Sequence, residues 1–320
     1  DITDIKFAHS VYYFSMDAIQ RALLAEIVDL HGVPEGAYNI RSDGKLAGRS
    51  TTANIDIVSK EDKPGIDIFI KPGTKNESMH IPVIIEESGL KDLVYNDFHI
   101  GADCDVTIIA GCGISNCGSQ DSQHDGIHTF YVGRNAKVKY VEKHYAEGDG
   151  SGERIMNPTT VINLEEGAYM EMDTTQIKGV DSTKRITQAR LADGATLVVA
   201  EKLMTHGHQT SETDFTIDLD GEDSSANVVS RGVARDSSRQ VLYMKINGNS
   251  KCYGHSECDS IVMDNGYVQA IPEITANSVE ASLVHEAAIG KIAGDQIVKL
   301  MTLGLTEAEA EEQIVAGFLK

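Results

Sequence analysis

The sequence predicts a mainly β protein, a parallel β-helix with a short helical N-terminal part and C-terminal helices. Three observations carry this. Short segments alternating apolar and polar residues fill the middle of the chain, the period-two signature of half-buried strands. Gly167, Gly194, Gly221 and Gly248 recur there, each 27 residues after the last, and a fixed period of roughly 20–50 residues marks a stacked architecture. Helical periodicity is confined to the two ends. The chain divides accordingly into a helical N-terminal segment at 1–35, a β-helix core at 36–288 and a helical C-terminal segment at 289–320.

The N-terminal helix is expected over 16–30, where apolar residues fall at three-to-four spacing, and Gly32, Pro34 and Gly36 end it. Residues 53–58 and 66–70 alternate as strands. Further on, Gly167-Ala168-Tyr169-Met170 and Gly194-Ala195-Thr196-Leu197 each set a turn glycine and an alanine before an alternating strand. Asn135-Ala136-Lys137-Val138 and Gly101-Ala102-Asp103-Cys104 are less regular copies. Such units cannot bury a face alone, but stacked coils lay each strand on the one before. Beyond Gly294, residues 296–301 read as a short helix. Thr306 and Glu309 then have the spacing of a capping box. The helix it opens carries Ile314, Val315 and Phe318 on an apolar side, which has to pack on the end of the β-helix or on a partner.

Composition excludes several functions. The formal charge is −21, which offers no basic surplus for a nucleic-acid backbone. No run of 18 apolar residues exists to span a membrane. Asp1-Ile2-Thr3-Asp4 does not read as a secretory signal. Five cysteines, Cys104, Cys112, Cys117, Cys252 and Cys258, are an odd number, which favours free thiols in a reducing cytoplasm over a disulfide framework. Trp is absent, which weakens a sugar-stacking groove. No P-loop, nucleophile elbow or dinucleotide fingerprint is present.

Cys258, His285 and Glu286 are the leading site candidates, because thiolate, imidazole and carboxylate all bind iron. Cys258 and His285 stand one 27-residue period apart. A regular register makes them neighbours on adjacent coils, about 4.8 Å apart, with Glu286 turned to the other face by strand alternation. A buried cysteine and a structural histidine are the plainer alternative. Cys112, Cys117, His124 and His128 form a weaker candidate metal set; common zinc motifs place more residues between their Cys and His pairs, and strands can turn these side chains different ways. His206 and His208 either share a strand face or sit solvated in a turn. Arg231, Arg235 and Arg239 form a local basic cluster, as an internal ladder or a docking spot.

One ordered series of motifs resembles a known family. It runs Cys258-Asp259, an Ile271-Pro272-Glu273 turn, His285-Glu286-Ala287, Lys291-Ile292, Gln296 and then paired helices. It is similar to the C-terminal part of the SufB/SufD scaffolds of SUF-type iron–sulfur cluster assembly. The resemblance runs from about His80 to Lys320 and is strongest from Cys252. It implies a right-handed parallel β-helix flanked by helical parts, a cytoplasmic assembly scaffold that is not itself an enzyme, and a transient iron–sulfur cluster. It also implies a SufC-type ABC ATPase as partner, docked through the C-terminal helices. Two scaffold subunits of this family pair through their β-helices. In SufB-type subunits the residues matching Cys258 and Glu286 are implicated in building the cluster; in SufD-type subunits the residue matching His285 is. This chain has all three, which suggests a SufB-like member acting as a homodimer. With the family in view, Cys112 and Cys117 gain a further reading as a thiol relay toward the assembly site. The rivals are a SufD-like structural subunit without its own cluster and a β-helix enzyme acting on polysaccharide.

Overall fold

In the computed structural model, which describes residues 15–320, two ten-stranded sheets wind into a β-solenoid of about eight turns. The reading of residues 1–4 lies outside the described residues. Helix α1 (Ala18–Val28) leads into β1 (Ala37–Ser42), β2 (Lys45–Ser50), β3 (Ile55–Ser59), β4 (Gly65–Ile70), β5 (Lys75–Ile85), β6 (Lys91–Ile100) and β7 (Asp105–Ser115). The middle coils hold β8 (Ser122–Val132), β9 (Lys137–Glu147), β10 (Arg154–Met156), β11 (Thr159–Leu164), β12 (Tyr169–Lys178), β13 (Ser182–Leu191) and β14 (Thr196–Thr205). The last coils hold β15 (Thr210–Leu219), β16 (Ser224–Ala234), β17 (Arg239–Gly248), β18 (Cys252–Val262), β19 (Tyr267–Ala276) and β20 (Ala281–Gly290). Helices α2 (Gly294–Met301) and α3 (Glu307–Phe318) follow.

One sheet runs β2-β1-β5-β7-β9-β12-β14-β16-β18-β20 and the other β19-β17-β15-β13-β10-β8-β6-β4-β3. Strand β11 shares the place of β10 between β8 and β13. Pro158 separates the two pieces, since proline cannot donate to a ladder. All pairings are parallel except the hairpins β1–β2 and β3–β4, and the expected Ile271-Pro272-Glu273 turn is instead the middle of strand β19, tolerated there because β19 is an edge strand.

The corners of the solenoid explain its repeat. Asp103, Asn135, Gly167, Gly194 and Asp223 all have left-handed backbone at the corner leading into β7, β9, β12, β14 and β16. Gly179, Gly207, Asp236 and Asp264 do so at the corner leading into β13, β15, β17 and β19. Gly, Asn and Asp tolerate that conformation best. The expected uniform period of 27 is corrected by this register. Tyr169 pairs with Thr196, a step of 27, but Lys137 pairs with Tyr169, a step of 32, and Cys252 with Ala281, a step of 29. Gly221 stands just before the Asp223 corner, and Gly248 ends β17; neither is a corner residue.

Inward positions build the core, in which the Phe98 and Phe130 rings stack at 4.4 Å and Ile162, Ala189, Ile217 and Ile246 continue the column, with Tyr140 and Met172 in line on the facing sheet. Helix α1, closed by an Asp17–Gln20 capping box, packs Leu23, Leu24 and Ile27 across the first sheet. Gly111 permits this approach, because a Cβ there would fall 2.9 Å from the Ile27 Cβ. The Thr306–Glu309 capping box forms as expected. Helix α3 does not cap the solenoid end: Val315 and Phe318, with Leu319 beyond, pack on Met204, Val233, Ile261 and Met263 along its flank. Strands β19 and β20 therefore remain edge strands of the two sheets among the described residues.

Candidate functional site

Strand β18 buries Cys252, Gly254, Ser256, Cys258 and Ser260 and turns Tyr253, His255, Glu257 and Asp259 outward. The register with β20 sets Ser256 beside His285, Glu257 beside Glu286 and Cys258 beside Ala287. The expectation that Cys258 and His285 are stacked neighbours is thus corrected. The coil step here is 29, so the two residues share the interior side of the sheet but lie two positions out of line. Glu286 is on the opposite side, as alternation requires, and β20 continues past it to Gly290. Cys258, His285 and Glu286 do not converge on one point in this chain by itself.

The interior pair has a definite chemistry. Cys258 is 1% exposed. Burial, then the nearby charges of Glu201 and Asp259, push its thiol up to about 12, so it stays protonated at neutral pH. His285 Nδ1 lies 2.7 Å from the Ser256 hydroxyl, while its Nε2 is buried with no hydrogen-bond partner. Burial lowers the His285 pKa. A neutral ring donating Nδ1–H to Ser256 keeps the Nε2 lone pair available, the form in which imidazole binds metals.

On the outer side Glu286 Oε2 lies 3.0 Å from His255 Nε2, and His255 Nδ1 lies 2.7 Å from Asn227 Oδ1. His255, Glu257 and Glu286 bring one donor atom each within 4.8 Å of one another, the one such group of potential metal ligands among the described residues. Reading the sequence missed it. His255 and Glu257 have the i, i+2 spacing of one strand face, but aligning Glu286 with them needs the 29-residue step that only the register reveals.

The second candidate set separates. Cys112 on β7 and His124 and His128 on β8 point into the solenoid, while Cys117 is exposed in the turn between the strands. His124 Nδ1 contacts Asp92 at 3.1 Å, and His128 Nδ1 contacts the Tyr140 hydroxyl at 2.9 Å. Cys112, His124 and His128 line a cavity of about 20 Å³ with Glu142 and His144, room for about one water. Burial pushes His128 and His144 down to about 4 and the Cys112 thiol up. Burial alone would raise Glu142, but the Arg185 guanidinium at 2.7 Å holds its carboxyl well below the usual range. Glu201 extends the network, accepting from Thr213 and Ser230. The sequence conceals these charges because each sits at an alternating strand position that resembles a solvated face. His206 and His208 flank Gly207 in a corner turn, and Arg239 lies over the Tyr267 ring.

These features define a parallel β-solenoid protein whose candidate chemistry lies in its last coils. The chain belongs to the SufBD family: residues 93–318 match the model of the SUF system FeS cluster assembly SufBD core domain. The family is thus a component of iron–sulfur cluster assembly. The chain is 29% identical over 255 residues to an iron–sulfur cluster assembly SufBD family protein of Methanocaldococcus jannaschii, covering 79% of each. A SufBD family protein of Archaeoglobus fulgidus is 30% identical over 261 residues, 81% of this chain and 69% of that one. One from Pyrococcus horikoshii is 26% identical over 308 residues, 92% of each.

Proposed function

We propose that this chain is a SufB-like scaffold subunit on which a transient iron–sulfur cluster is built, working with a SufC-type ABC ATPase. The carrying observation is that Cys258 and His285 share the interior side of the last two coils, with His285 Nε2 buried and unpartnered. In this reading Cys258 holds sulfur or iron, and His285 and Glu286 complete the ligand set. The resting chain keeps the three apart and the thiol protonated, so assembly requires the last coils to open. Opening exposes Cys258 to water, which removes the burial that raises its pKa and frees the thiolate.

The partners follow from the same end of the molecule. Val298, Met301 and Leu303 on and beside α2 are exposed apolar side chains, a patch of the kind that marks an interaction site, and they suit the ATPase. The uncovered edges of β19 and β20 suit pairing with a second copy, and ATP-driven movement of the partner would part that junction. No described helix is long and apolar enough to cross a membrane. We place the assembly work in the cytoplasm on the basis of free thiols alone.

The test is anaerobic reconstitution with iron, sulfide and the ATPase, read by visible absorbance. Wild type is expected to develop cluster absorbance, and Cys258→Ser to lose it while melting at the same temperature. Undiminished absorbance in Cys258→Ser overturns the assignment. One observation favours the SufD-like alternative, namely the deep burial of Cys258; wild type that never develops absorbance would establish that reading instead.

A further inference from the structure

We propose that His255, Glu257 and Glu286 form a binding site for a divalent first-row transition cation on the outer face of the last coils. The strand geometry assembles it. His255 and Glu257 are outward neighbours on β18, and Glu286 stands directly beside Glu257 on β20. Their donor atoms fall within 4.8 Å of one another, the span of ligands around one ion. Cys258 lies between Glu257 and Asp259 in sequence but points to the other side of the sheet, so the site is independent of the interior thiol.

The donor set selects the ion. One imidazole nitrogen and two carboxylate oxygens suit zinc, ferrous iron, cobalt or manganese, and the absence of sulfur disfavours cuprous ion. Asn227 supplies a separate observation. Its side-chain oxygen accepts from His255 Nδ1 at 2.7 Å, which fixes the ring and presents Nε2 as the ligand nitrogen, the outer-shell partner that metal-binding histidines characteristically have. The local charge agrees. Among the described residues no lysine or arginine lies within ion-pair distance of Glu257, and Arg231 acts on it only at longer range. His255 is 17% exposed in its side chain and Glu286 65%, so an ion held here keeps open positions toward solvent.

Glu286 is shared with the proposed cluster site, whereas His255 and Glu257 are not, and the experiment uses that difference. Zinc sulfate is titrated calorimetrically into the full chain carrying Cys117→Ser, which removes the exposed thiol, with no sulfide or ATPase present. One site per chain is expected. His255→Gln and Glu257→Gln weaken it at least tenfold, Asn227→Ala weakens it about tenfold, and Cys258→Ser leaves it unchanged. Circular dichroism checks that each variant is folded. Absent binding means a plain His255–Glu286 ion pair and overturns the proposal. Unchanged affinity in His255→Gln, or lost affinity in Cys258→Ser, does the same. None of these outcomes bears on the reconstitution of the Cys258 variant, so the two readings fail separately.

Discussion

Buried titratable side chains make the interior of the solenoid sensitive to acid. His128 and His144 are held neutral, with pKa values pushed down to about 4, whereas an imidazole in an unfolded chain titrates near about 6.5. Between those values the unfolded chain binds protons that the folded chain refuses, so stability falls as pH falls. Each histidine accounts for up to about 3 kcal/mol by the acid end of the window. Glu142, depressed by Arg185, adds a loss at lower pH still. Urea unfolding between about pH 7 and about pH 4.5 is expected to show a steadily falling midpoint, and a flat profile contradicts the assignment. Arg185→Met should cost about 3–5 kcal/mol, because it leaves the Glu142 charge buried without its partner; the same titration at neutral pH reads it. At this scale the sequence was informative about Cys258, His285 and Glu286 as residue types and about which faces they take. Their mutual position was not legible, because it depends on how many residues each corner consumes.

Corners are where the elements carry their own signal. Strands β12 and β14, and β10 and β11 against β13, are 27 residues apart in register, so the 27-residue spacing of the glycines holds for one coil of the solenoid. Other coils insert up to five more residues without disturbing the stack, since a solenoid constrains strand length and corner backbone rather than total spacing. The recurring feature at the corners into β7, β9, β12, β14 and β16 is a left-handed residue, filled by glycine at Gly167 and Gly194 but by Asp103, Asn135 and Asp223 at the others. A search for glycine alone therefore mistook Gly221 and Gly248 for members. The consequence is testable at Asn135, whose φ is +56°. Asn135→Gly should be close to neutral, because glycine adopts that backbone without penalty. Asn135→Val should cost about 1–2 kcal/mol or more, because a β-branched side chain is strained there. Equal thermal midpoints for the two variants would show that the corner backbone does not set the fold. The capping box of α3, in contrast, was legible outright from Thr306 and Glu309, because its geometry is local.

The two ends of the solenoid differ in how their edge strands are finished. At the first coils the sheets end in β2 and β3, each folded back as an antiparallel hairpin, whereas at the last coils β19 and β20 end the sheets with no strand beyond them among the described residues. Exposed sheet edges invite pairing with another chain. The two edges differ in their protection. Strand β19 carries Pro272, which blunts a ladder, while β20 has neither proline nor lysine along its ten residues. Ile271 and Ile274 on β19 and Val284 and Ile289 on β20 are more than a third exposed. A second copy meeting this end would cover those side chains and satisfy the β20 backbone, and it would bring two Cys258 coils close together at the junction. The combination Ile274→Lys with Ile289→Lys should therefore convert a dimer to a monomer in light scattering without lowering the melting temperature of the chain, since neither residue belongs to the buried core. If the doubly substituted chain stays dimeric, the contact lies elsewhere, with the α2 patch as the next surface to change. If wild type is monomeric alone and dimeric only with the ATPase, the same substitutions should abolish the dimer in that complex, which ties the β19 and β20 edges to assembly.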